Sequence, residues 1–324
     1  MRFGFDPKVW FDGIVDTVQE VEELGYTSVW ASEHLVTEQD TFWPAPLTRL
    51  AGMATVTEDI ELYTSIIILP LHNLLDVAVE AAVVDRMSNG RLNVGVALGY
   101  VPEEFEAYGV PLENRAGRLV EGLHVLDLFL SSEEPISYDG QYVSFEDLKP
   151  HPVSAQDPRP TLLVGGWGDK AMERSIGLAD GWIPGPTGDI EALKQRQQQL
   201  QEICDDLDRD WDEIHKPIAR DIVISESSSD AWDHAEDALY QGYADEYGSE
   251  EWNHPVIDQE TVRDFETLAE DRFFIGTPEE IIEEINRTNE ELEIDELKLR
   301  FHHTSRENLK EQYRLFADEV MPSF

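Results

Sequence analysis

Short runs of strand-forming residues alternate along this chain with longer stretches of helical periodicity. The strand candidates lie at Arg2–Phe5, Thr27–Trp30, Glu61–Leu69, Arg91–Ala97, Thr161–Val164, Gly181–Ile183, Ile218–Ser225 and Glu296–Phe301. Most are followed by a helical pattern, and a repeated strand–helix unit builds a parallel sheet covered by helices. Eight such strands predict an α/β fold, a (β/α)8 TIM barrel with insertions. An open doubly wound sheet is the alternative, although the G-x-G-x-x-G fingerprint is missing after the first strand.

The helical patterns have recognisable starts and stops. They lie at Asp12–Leu24, Leu74–Met87, Arg118–Leu130, Lys170–Leu178, Asp189–Leu207, Thr277–Ile285 and about Arg306–Val320. Ser88-Asn-Gly90 is a C-terminal stop, and Thr277-Pro-Glu-Glu280 predicts a capping box with proline at the first helical position. These signals predict where the second helix of this list ends and where the penultimate one begins.

Two segments interrupt the strand–helix repeat. Residues 135–151 predict a β-hairpin over Ile136–Val143 with Asp139-Gly140 as its turn. Residues 226–271 form a long, acidic, mostly helical excursion, and such insertions often cover the active sites of barrels. No linker composition separates the parts, so we expect one domain over residues 1–324.

The chain carries 68 acidic and 24 basic residues, a net charge of −44, spread along its length. At about 1 M salt the Debye length falls to roughly 3 Å, which screens such self-repulsion. The composition therefore predicts a cytoplasmic protein of a halophile; a mesophilic protein that binds a basic partner is the alternative. The charge argues against binding to nucleic acid or to anionic membranes.

The cysteine count is typical of a reducing compartment, and the hydropathy predicts no membrane span. Cys204 is the only cysteine, so no internal disulfide can form, and its acidic surroundings make it a poor nucleophile. The N-terminal residues show no signal-peptide pattern, and the longest apolar run, Ile66–Leu71, is too short to span a bilayer.

One predicted strand ends in an acid and a histidine. Residues 28–31 have strand character, and Glu33-His34 follow them. Catalytic groups of parallel α/β folds lie at the carboxyl ends of strands, and histidine titrates near neutral pH. His34 is therefore a candidate acid/base; the alternative is that it only caps the strand.

A glycine-rich turn follows the predicted strand at Thr161–Val164. Gly165, Gly166 and Gly168 precede a helix, so backbone N–H groups and the helix N-terminus predict a phosphate site, with Lys170 as a possible counter-charge. An ordinary tight turn is the alternative. Small Thr64 and Ser65 in the third strand would let a flat ring approach the backbone.

Four tryptophans, Trp30, Trp43, Trp167 and Trp182, lie near predicted strand ends and either wall a pocket or pack the end of the barrel. For Trp182 we expect packing. No metal site is predicted: His302 and His303 are adjacent on a strand and point to opposite faces. The G-x-S-x-G nucleophile elbow is also missing.

In their order and spacing these motifs resemble the bacterial-luciferase-like family of flavin- and deazaflavin-dependent oxidoreductases. The resemblance rests on Leu24–His34, Asp85–Val96, Glu104–Pro111, Arg115, Glu121, Tyr138–Tyr142, Pro160–Gly166, Ala179–Trp182 and Gly276–Glu280. It covers nearly the whole chain. It implies a usually dimeric (β/α)8 barrel that binds FMN or coenzyme F-420, an 8-hydroxy-5-deazaflavin, at the carboxyl ends of its strands.

The resemblance also assigns site residues. His34 matches the family's active-site histidine, and Ser65-Ile66 match a position where the family often has a non-prolyl cis peptide against the ring. The glycines of the turn match the phosphate site. Glu33, Trp43 and Tyr100 are expected in the substrate pocket.

Two departures limit what the resemblance implies. Leu98 stands where luciferase itself has an arginine for the flavin phosphate, and Tyr100 stands where deazaflavin glucose-6-phosphate dehydrogenases have a catalytic glutamate. The methylene-tetrahydropterin reductase branch is also similar. We therefore expect hydride transfer or oxygen activation on a small organic substrate, with F-420 slightly favoured over FMN; a non-catalytic flavin-binding relative is the alternative.

Overall fold

A computed structural model of the chain describes residues 1–7, 13–34, 44–247 and 254–324. The strands are β1 (Arg2–Phe5), β2 (Ser28–Ala31), β3 (Glu61–Ile68), β4 (Leu92–Ala97), β5 (Ile136–Asp139), β6 (Ser144–Leu148), β7 (Thr161–Gly165), β8 (Gly181–Ile183), β9 (Ile218–Ile224), β10 (Phe274–Gly276) and β11 (Glu296–Phe301). Nine of them form one parallel sheet in the order β10-β9-β11-β1-β2-β3-β4-β7-β8. The sheet curls as a barrel does, and the predicted luciferase-like α/β fold is confirmed.

The helices pack mainly on the outer face of this sheet. They are α1 (Ile14–Glu23), α2 (Pro46–Ala54), α3 (Leu74–Met87), α4 (Pro102–Tyr108), α5 (Arg115–Leu130), α6 (Asp169–Gly177), α7 (Ile190–Asp206), α8 (Ser228–Ala235), α9 (Gln241–Tyr247), α10 (Phe265–Ala269), α11 (Pro278–Glu291) and α12 (Arg306–Leu315). Each predicted helix is present, but α11 runs past its expected end at Ile285 to Glu291, and α12 ends at Leu315, before a π-helical turn to Val320. The α2 and α4 helices were not predicted.

Alternation along β1 and β11 separates an apolar outer layer from a polar interior. Phe3 and Phe5 point outward, and the Phe3 ring packs edge-on against Phe316 at 5.2 Å. Asp6 and Lys298 point inward and form a buried ion pair, with Nζ 3.0 Å from Oδ2. The main hydrophobic core therefore lies between the sheet and its helices, and the inner face of β1 and β11 is polar.

Helix ends follow the predicted signals. The α3 helix stops at Met87, before the predicted stop Ser88-Asn-Gly90, and at its start, which no predicted signal marked, the Asn73 side chain accepts hydrogen bonds from the first turn. At α11 both hydrogen bonds of the predicted capping box between Thr277 and Glu280 are present. Local hydrogen bonds thus mark these boundaries.

The sheet differs from eight regular barrel strands at one place. The short strand β10, which was not predicted, pairs with the last three residues of β9. On the other side, β8 meets the chain before β9 through a single bridge between Gly181 and His215. Hydrogen-bonded closure of the sheet is thus minimal between β8 and β9.

The hairpin insertion is present, but its predicted turn was wrong. The strands β5 and β6 pair antiparallel, and the second strand begins at Ser144. The Gly140 N–H donates to the Val143 carbonyl at 3.0 Å, so a loop replaces the two-residue turn at Asp139-Gly140. The Glu121 carboxylate accepts the N–H groups of Gln141 and Tyr142, which holds this loop against α5.

The described part of the acidic excursion is helical, as predicted, and has its own apolar cluster. Leu239, Tyr243, Phe265 and Phe273 pack there with Val223 of β9. No helix in the four described ranges is both long and apolar enough to cross a bilayer.

Candidate active site

His34 lies just beyond the end of β2 and has a buried carboxylate behind it. Its Nδ1 is 3.2 Å from Oε1 of Glu104 on α4, whose side chain is fully buried, while that of His34 is 27% exposed. A carboxylate at one ring nitrogen fixes the orientation of an imidazole and leaves the other nitrogen for a substrate. The pair can therefore hold or donate a proton at Nε2.

Glu33, predicted as a pocket residue, contributes to the cleft but mainly joins two strand ends. Its buried carboxylate accepts the backbone N–H of Ile68 at 2.7 Å and faces Nε2 of His72 at 3.0 Å. These contacts fasten the end of β2 to the end of β3. Both oxygens are engaged, so Glu33 supports the site rather than reacting in it.

A small cleft opens above these residues. It is lined by Glu33, His34, Pro44, Ile68, Leu71 and Tyr108. Burial, helped by the carboxylates of Glu33 and Glu104, raises the pKa of the Tyr108 phenol. The ring of Tyr100, also predicted for the substrate pocket, packs edge-on against His34 with centroids 5.8 Å apart. Predicted residue Trp43 and most of the loop before it lie outside the described residues.

The peptide bond between Ser65 and Ile66 is cis, as the resemblance implies. Pairing of β3 with β4 shifts register between Thr64 and Ile67, on either side of this bond. Ser65 Oγ accepts a hydrogen bond from Lys298 Nζ at 2.9 Å. Burial lowers the pKa of Lys298, and neighbouring Asp6 opposes that effect. The buried Lys298–Asp6 ion pair thus contacts this segment through Ser65.

Small side chains bring three strand ends together beside the cis segment. A Cβ atom placed on Gly165 would lie 3.1 Å from Cγ2 of Ile66 and 3.3 Å from Cβ of Ala97. The ends of β3, β4 and β7 therefore meet at one apolar surface. Such a surface can accept the face of a flat ring.

The glycine turn leads directly into a helix N-terminus. Gly166 has φ of 128°, a conformation that favours glycine, and Gly168 is the N-cap of α6. The first N–H groups of a helix have no intrahelical acceptor, so this turn offers donors to an anion. Lys170 is not a counter-charge there: its ammonium is exposed and pairs with Glu173 at 2.6 Å.

The tryptophans have different surroundings. Trp30 is fully buried and stacks on Tyr63 at 3.9 Å, so it does not wall the cleft. Trp182 is a packing residue, as expected; its Nε1 donates to the Gly166 carbonyl at 2.7 Å. Trp167 lies edge-on to Trp182, with ring centroids 5.3 Å apart.

A polar cluster that the sequence did not reveal lies at the ends of β9 and β11. Fully buried Asp221 accepts the Tyr243 hydroxyl at 2.6 Å, faces His302 Nε2 at 2.6 Å and pairs with Arg300 at 3.1 Å. The residues are far apart in sequence and only the strand register joins them. No group of three or more possible metal ligands occurs in the described ranges. Cys204 is buried, and burial, more than its neighbouring acids, raises the pKa of its thiol.

Comparison with known proteins agrees with this architecture. The model of the family described as luciferase-like monooxygenase matches residues 7–296. The 4-hydroxyprotoasukamycin monooxygenase of Streptomyces nodosus subsp. asukaensis is 25% identical over 339 aligned residues, 99% of this chain and 89% of that protein.

Two solved structures share the whole fold. The monooxygenase RslO1 from Streptomyces bottropensis superposes with a TM-score of 0.83 at 21% identity, covering 100% of this chain and 99% of the other. An F-420-dependent secondary alcohol dehydrogenase, solved with an F-420–acetone adduct, superposes with a TM-score of 0.84 at 18% identity, covering 99% and 98%. At these identities the likeness establishes the fold.

Proposed function

The chain belongs to the luciferase-like monooxygenase family, and we propose that it is a single-domain oxidoreductase that binds FMN or coenzyme F-420 and converts a small organic substrate beside His34. The observation that carries this proposal is the His34–Glu104 pair at the end of β2, in a cleft that Ile68 at the end of β3 also lines. A neutral substrate atom in the cleft would meet an imidazole whose orientation is already fixed.

The residues present fit such a cofactor. Gly165, Ala97 and Ile66 form an apolar surface at three strand ends, suited to a flat ring. The turn through Gly166 and Gly168 offers backbone donors at one end of it, suited to a phosphate. When bound, the cofactor supplies the redox chemistry, either hydride transfer or oxygen activation.

The side chains would divide the remaining work. Nε2 of His34 holds or delivers a proton, and Glu104 keeps the imidazole in place. Glu33 holds the end of β3, which lines the cleft, by accepting the Ile68 N–H. Tyr100, edge-on to His34, shields that side of the imidazole from water. None of these groups needs to move before substrate arrives, which favours catalysis.

F-420 is slightly favoured over FMN. Leu98 stands where luciferase itself has a phosphate-binding arginine, and its side chain packs against the core instead. The highly acidic composition, typical of halophiles, supports the same preference. No sequence motif indicates a particular substrate, so we propose only that it is a small organic molecule.

Titration with each cofactor tests the proposal. The protein in about 2–3 M KCl, where surface charge is screened, should quench the fluorescence of FMN or F-420 with saturation. If neither cofactor binds, the assignment is wrong. A bound cofactor that is reduced or reoxidised no faster than free cofactor, across candidate donors and oxygen, would favour the alternative of a non-catalytic flavin-binding relative.

We also propose a cytoplasmic homodimer that works at high salt. The support for high salt is the spread of 68 carboxylates along the chain. The support for a dimer is the family resemblance together with two apolar residues of α3. Val83 is 38% exposed and Met87 is 43% exposed. Exposed apolar side chains one helical turn apart favour contact with a second copy.

A further inference from the structure

Two histidine–carboxylate pairs cross at the cleft beside β2. Adjacent residues at the end of β2 pair with different partners: His34 with Glu104 of α4, and Glu33 with His72 beyond β3. Both carboxylates are buried, whereas the side chains of His34 and His72 are 27% and 26% exposed. The two pairs therefore hold the end of β2 against both the end of β3 and the helix α4.

Tyr108 joins this arrangement from α4. It lies four residues after Glu104, so both side chains project from the same face of the helix. The Tyr108 ring packs against the ring of His72, with centroids 5.9 Å apart and planes inclined by 60°. His72 is itself held by Glu33. Tyr108 thus has a defined position in the cleft that it lines together with His34.

The hydroxyl of Tyr108 is not used within the described part of the chain. It makes no hydrogen bond to any residue there, and the residue is 44% exposed at the edge of the cleft. In contrast, the hydroxyl of Tyr243 donates to Asp221, and that of Tyr26 donates to the Tyr313 carbonyl. Tyr108 therefore offers its polar end to a molecule that enters the cleft.

The surroundings of Tyr108 keep the proton on its oxygen. Burial, helped by the carboxylates of Glu33 and Glu104, raises the pKa of the phenol. A phenol that stays protonated at neutral pH can donate a hydrogen bond. The group that suits Tyr108 is thus a hydrogen-bond acceptor.

The charges around the cleft disfavour an anionic acceptor. Its described lining includes the carboxylate of Glu33 and no lysine or arginine, and Glu104 faces His34. Arg49, which lies near Glu33, donates to the Ser32 carbonyl. Because salt screens buried charges much less than exposed ones, the repulsion of an anion persists at high salt. An uncharged acceptor meets no such repulsion.

We propose that Tyr108 is a specificity-determining residue that donates a hydrogen bond to an uncharged acceptor atom of the substrate. The inference rests on the proposed function and narrows its substrate class to uncharged molecules that carry such an acceptor. His34 acts at the reacting atom, and Tyr108 holds the substrate from α4. Carboxylates and phosphates are disfavoured because they would approach the carboxylate of Glu33.

Binding of three probes of similar shape tests the proposal. Benzamide is uncharged and has an acceptor oxygen, benzoate is its anionic counterpart, and toluene has no comparable acceptor. Each is added to the protein loaded with FMN or F-420, whichever binds, in about 2–3 M KCl. The change in cofactor absorbance on titration gives the dissociation constant of the probe.

Two variants differ in where they lose a hydroxyl. Tyr108→Phe removes the proposed donor. Tyr138→Phe, on strand β5 of the hairpin, removes a hydroxyl that likewise makes no hydrogen bond in the described ranges, so it is the matched control. Neither change removes a hydrogen bond among the described residues, so we expect both variants to fold and to bind the cofactor like the wild type.

The wild type should bind benzamide about tenfold or more tightly than benzoate, since like charges repel at close range. Tyr108→Phe should bind benzamide about threefold to tenfold more weakly, the usual worth of a hydrogen bond between uncharged groups, and toluene unchanged. Tyr138→Phe should match the wild type with every probe.

Three results would overturn the inference while the proposed function stands. They are equal benzamide binding by the wild type and Tyr108→Phe, benzoate binding as tight as that of benzamide, and no benzamide binding by protein that does bind a cofactor. If the wild type binds neither FMN nor F-420, the proposed function itself is wrong, and this inference fails with it.

Discussion

The two sides of the barrel mouth satisfy their polar groups differently. On the side of β2 and β3, the carboxylate of Glu33 holds Ile68 and His72, and Glu104 holds His34. On the opposite side lies the loop Gly185–Asp189 after β8, with Arg220 of β9 and Arg272 before β10, which we call the seam; there Trp167 and Thr187 are buried but have donors without acceptors in the described ranges. His34 and His72 on the first side thus face carboxylates, whereas Trp167 and Thr187 at the seam face no acceptor among the described residues.

This difference suggests a division of labour. Groups that already hold one another keep their geometry when substrate arrives, and preorganised groups are effective in catalysis. Buried donors without partners gain most when a ligand supplies the acceptor. We therefore assign proton chemistry to the β2–β3 side and cofactor anchoring to the seam.

Low salt should unfold the protein, and the region beside the seam should unfold first. The excursion of residues 226–271 carries 15 acidic residues and one arginine, and it packs on β9 beside the seam. Below roughly 0.2 M salt the Debye length approaches about 8 Å, while net stability is only about 5–15 kcal/mol. We expect loss of the fold or of the dimer, with hydrogen exchange rising first in the excursion.

Circular dichroism and light scattering across a KCl series measure this effect. A melting temperature that stays constant from roughly 0.1 to 3 M KCl would contradict the high-salt setting, since screening changes severalfold over that range. It would also remove one reason for preferring F-420.

Replacing His34 should have the largest effect on catalysis. His34→Ala removes the group that we place at the reacting atoms, so turnover at saturating cofactor should fall about 10²–10⁴-fold, the range for one acid/base group. His124→Ala, on the exposed face of α5, serves as the control. Unchanged turnover in a folded His34→Ala protein would return this histidine to a strand cap.

Of the two seam arginines, Arg272 should contribute more than Arg220 to the free energy of unfolding. Arg272→Met leaves the carbonyls of Thr187 and Leu268 and the carboxylate of Asp189 without their donor. We expect the free energy of unfolding to fall by about 2–4 kcal/mol. Arg220→Met removes a buried charge without a carboxylate partner and should cost about 1 kcal/mol or less. Urea denaturation in KCl compares them, and the reverse order would contradict the description of the seam.

His254 should give the seam side a distinct acid sensitivity. Burial and nearby Arg272 lower its pKa from 6.5 to about 4. The unfolded chain then binds the proton more readily, so stability is complete above about pH 6.5, falls as the pH drops toward about 4, and loses no more below that. The loss from this group should reach about 3 kcal/mol at most.

His254→Gln should flatten that part of the stability profile relative to the wild type, while His124→Gln on exposed α5 should not. Urea denaturation at several pH values between about 4 and 7, the window of this titration, provides the comparison. Parallel profiles for wild type and His254→Gln would show that His254 is not held neutral by its surroundings.

The sequence predicts well what local chemistry decides. The end of α3 follows from Ser88-Asn-Gly90, and the position of His34 just beyond β2 follows from the strand-forming residues before it. The three-residue strand β10 was missed, although the equally short strand β8 was predicted. The α4 helix was missed because it begins at Pro102 without a side-chain cap.

Residues that depend on tertiary contacts could not be predicted. Glu104 lies 70 positions after His34, and no spacing rule connects them. Arg220 interrupts an apolar strand, and only the packed structure shows that it is fully buried with donors unused. Whether a polar group is satisfied depends on neighbours that the fold brings together.

We predict that His34 and Thr187 affect different quantities, turnover for His34 and cofactor binding for Thr187, and one titration tests this most directly. The dissociation constant of the phosphate-bearing cofactor is measured by fluorescence for wild type, His34→Ala and Thr187→Val in the same KCl buffer. We expect His34→Ala to stay within about twofold of the wild type and Thr187→Val to bind about tenfold more weakly, as for a lost hydrogen bond to a charged group. A cofactor dissociation constant that changes with His34→Ala and not with Thr187→Val would contradict the assignment of chemistry to one side and anchoring to the other.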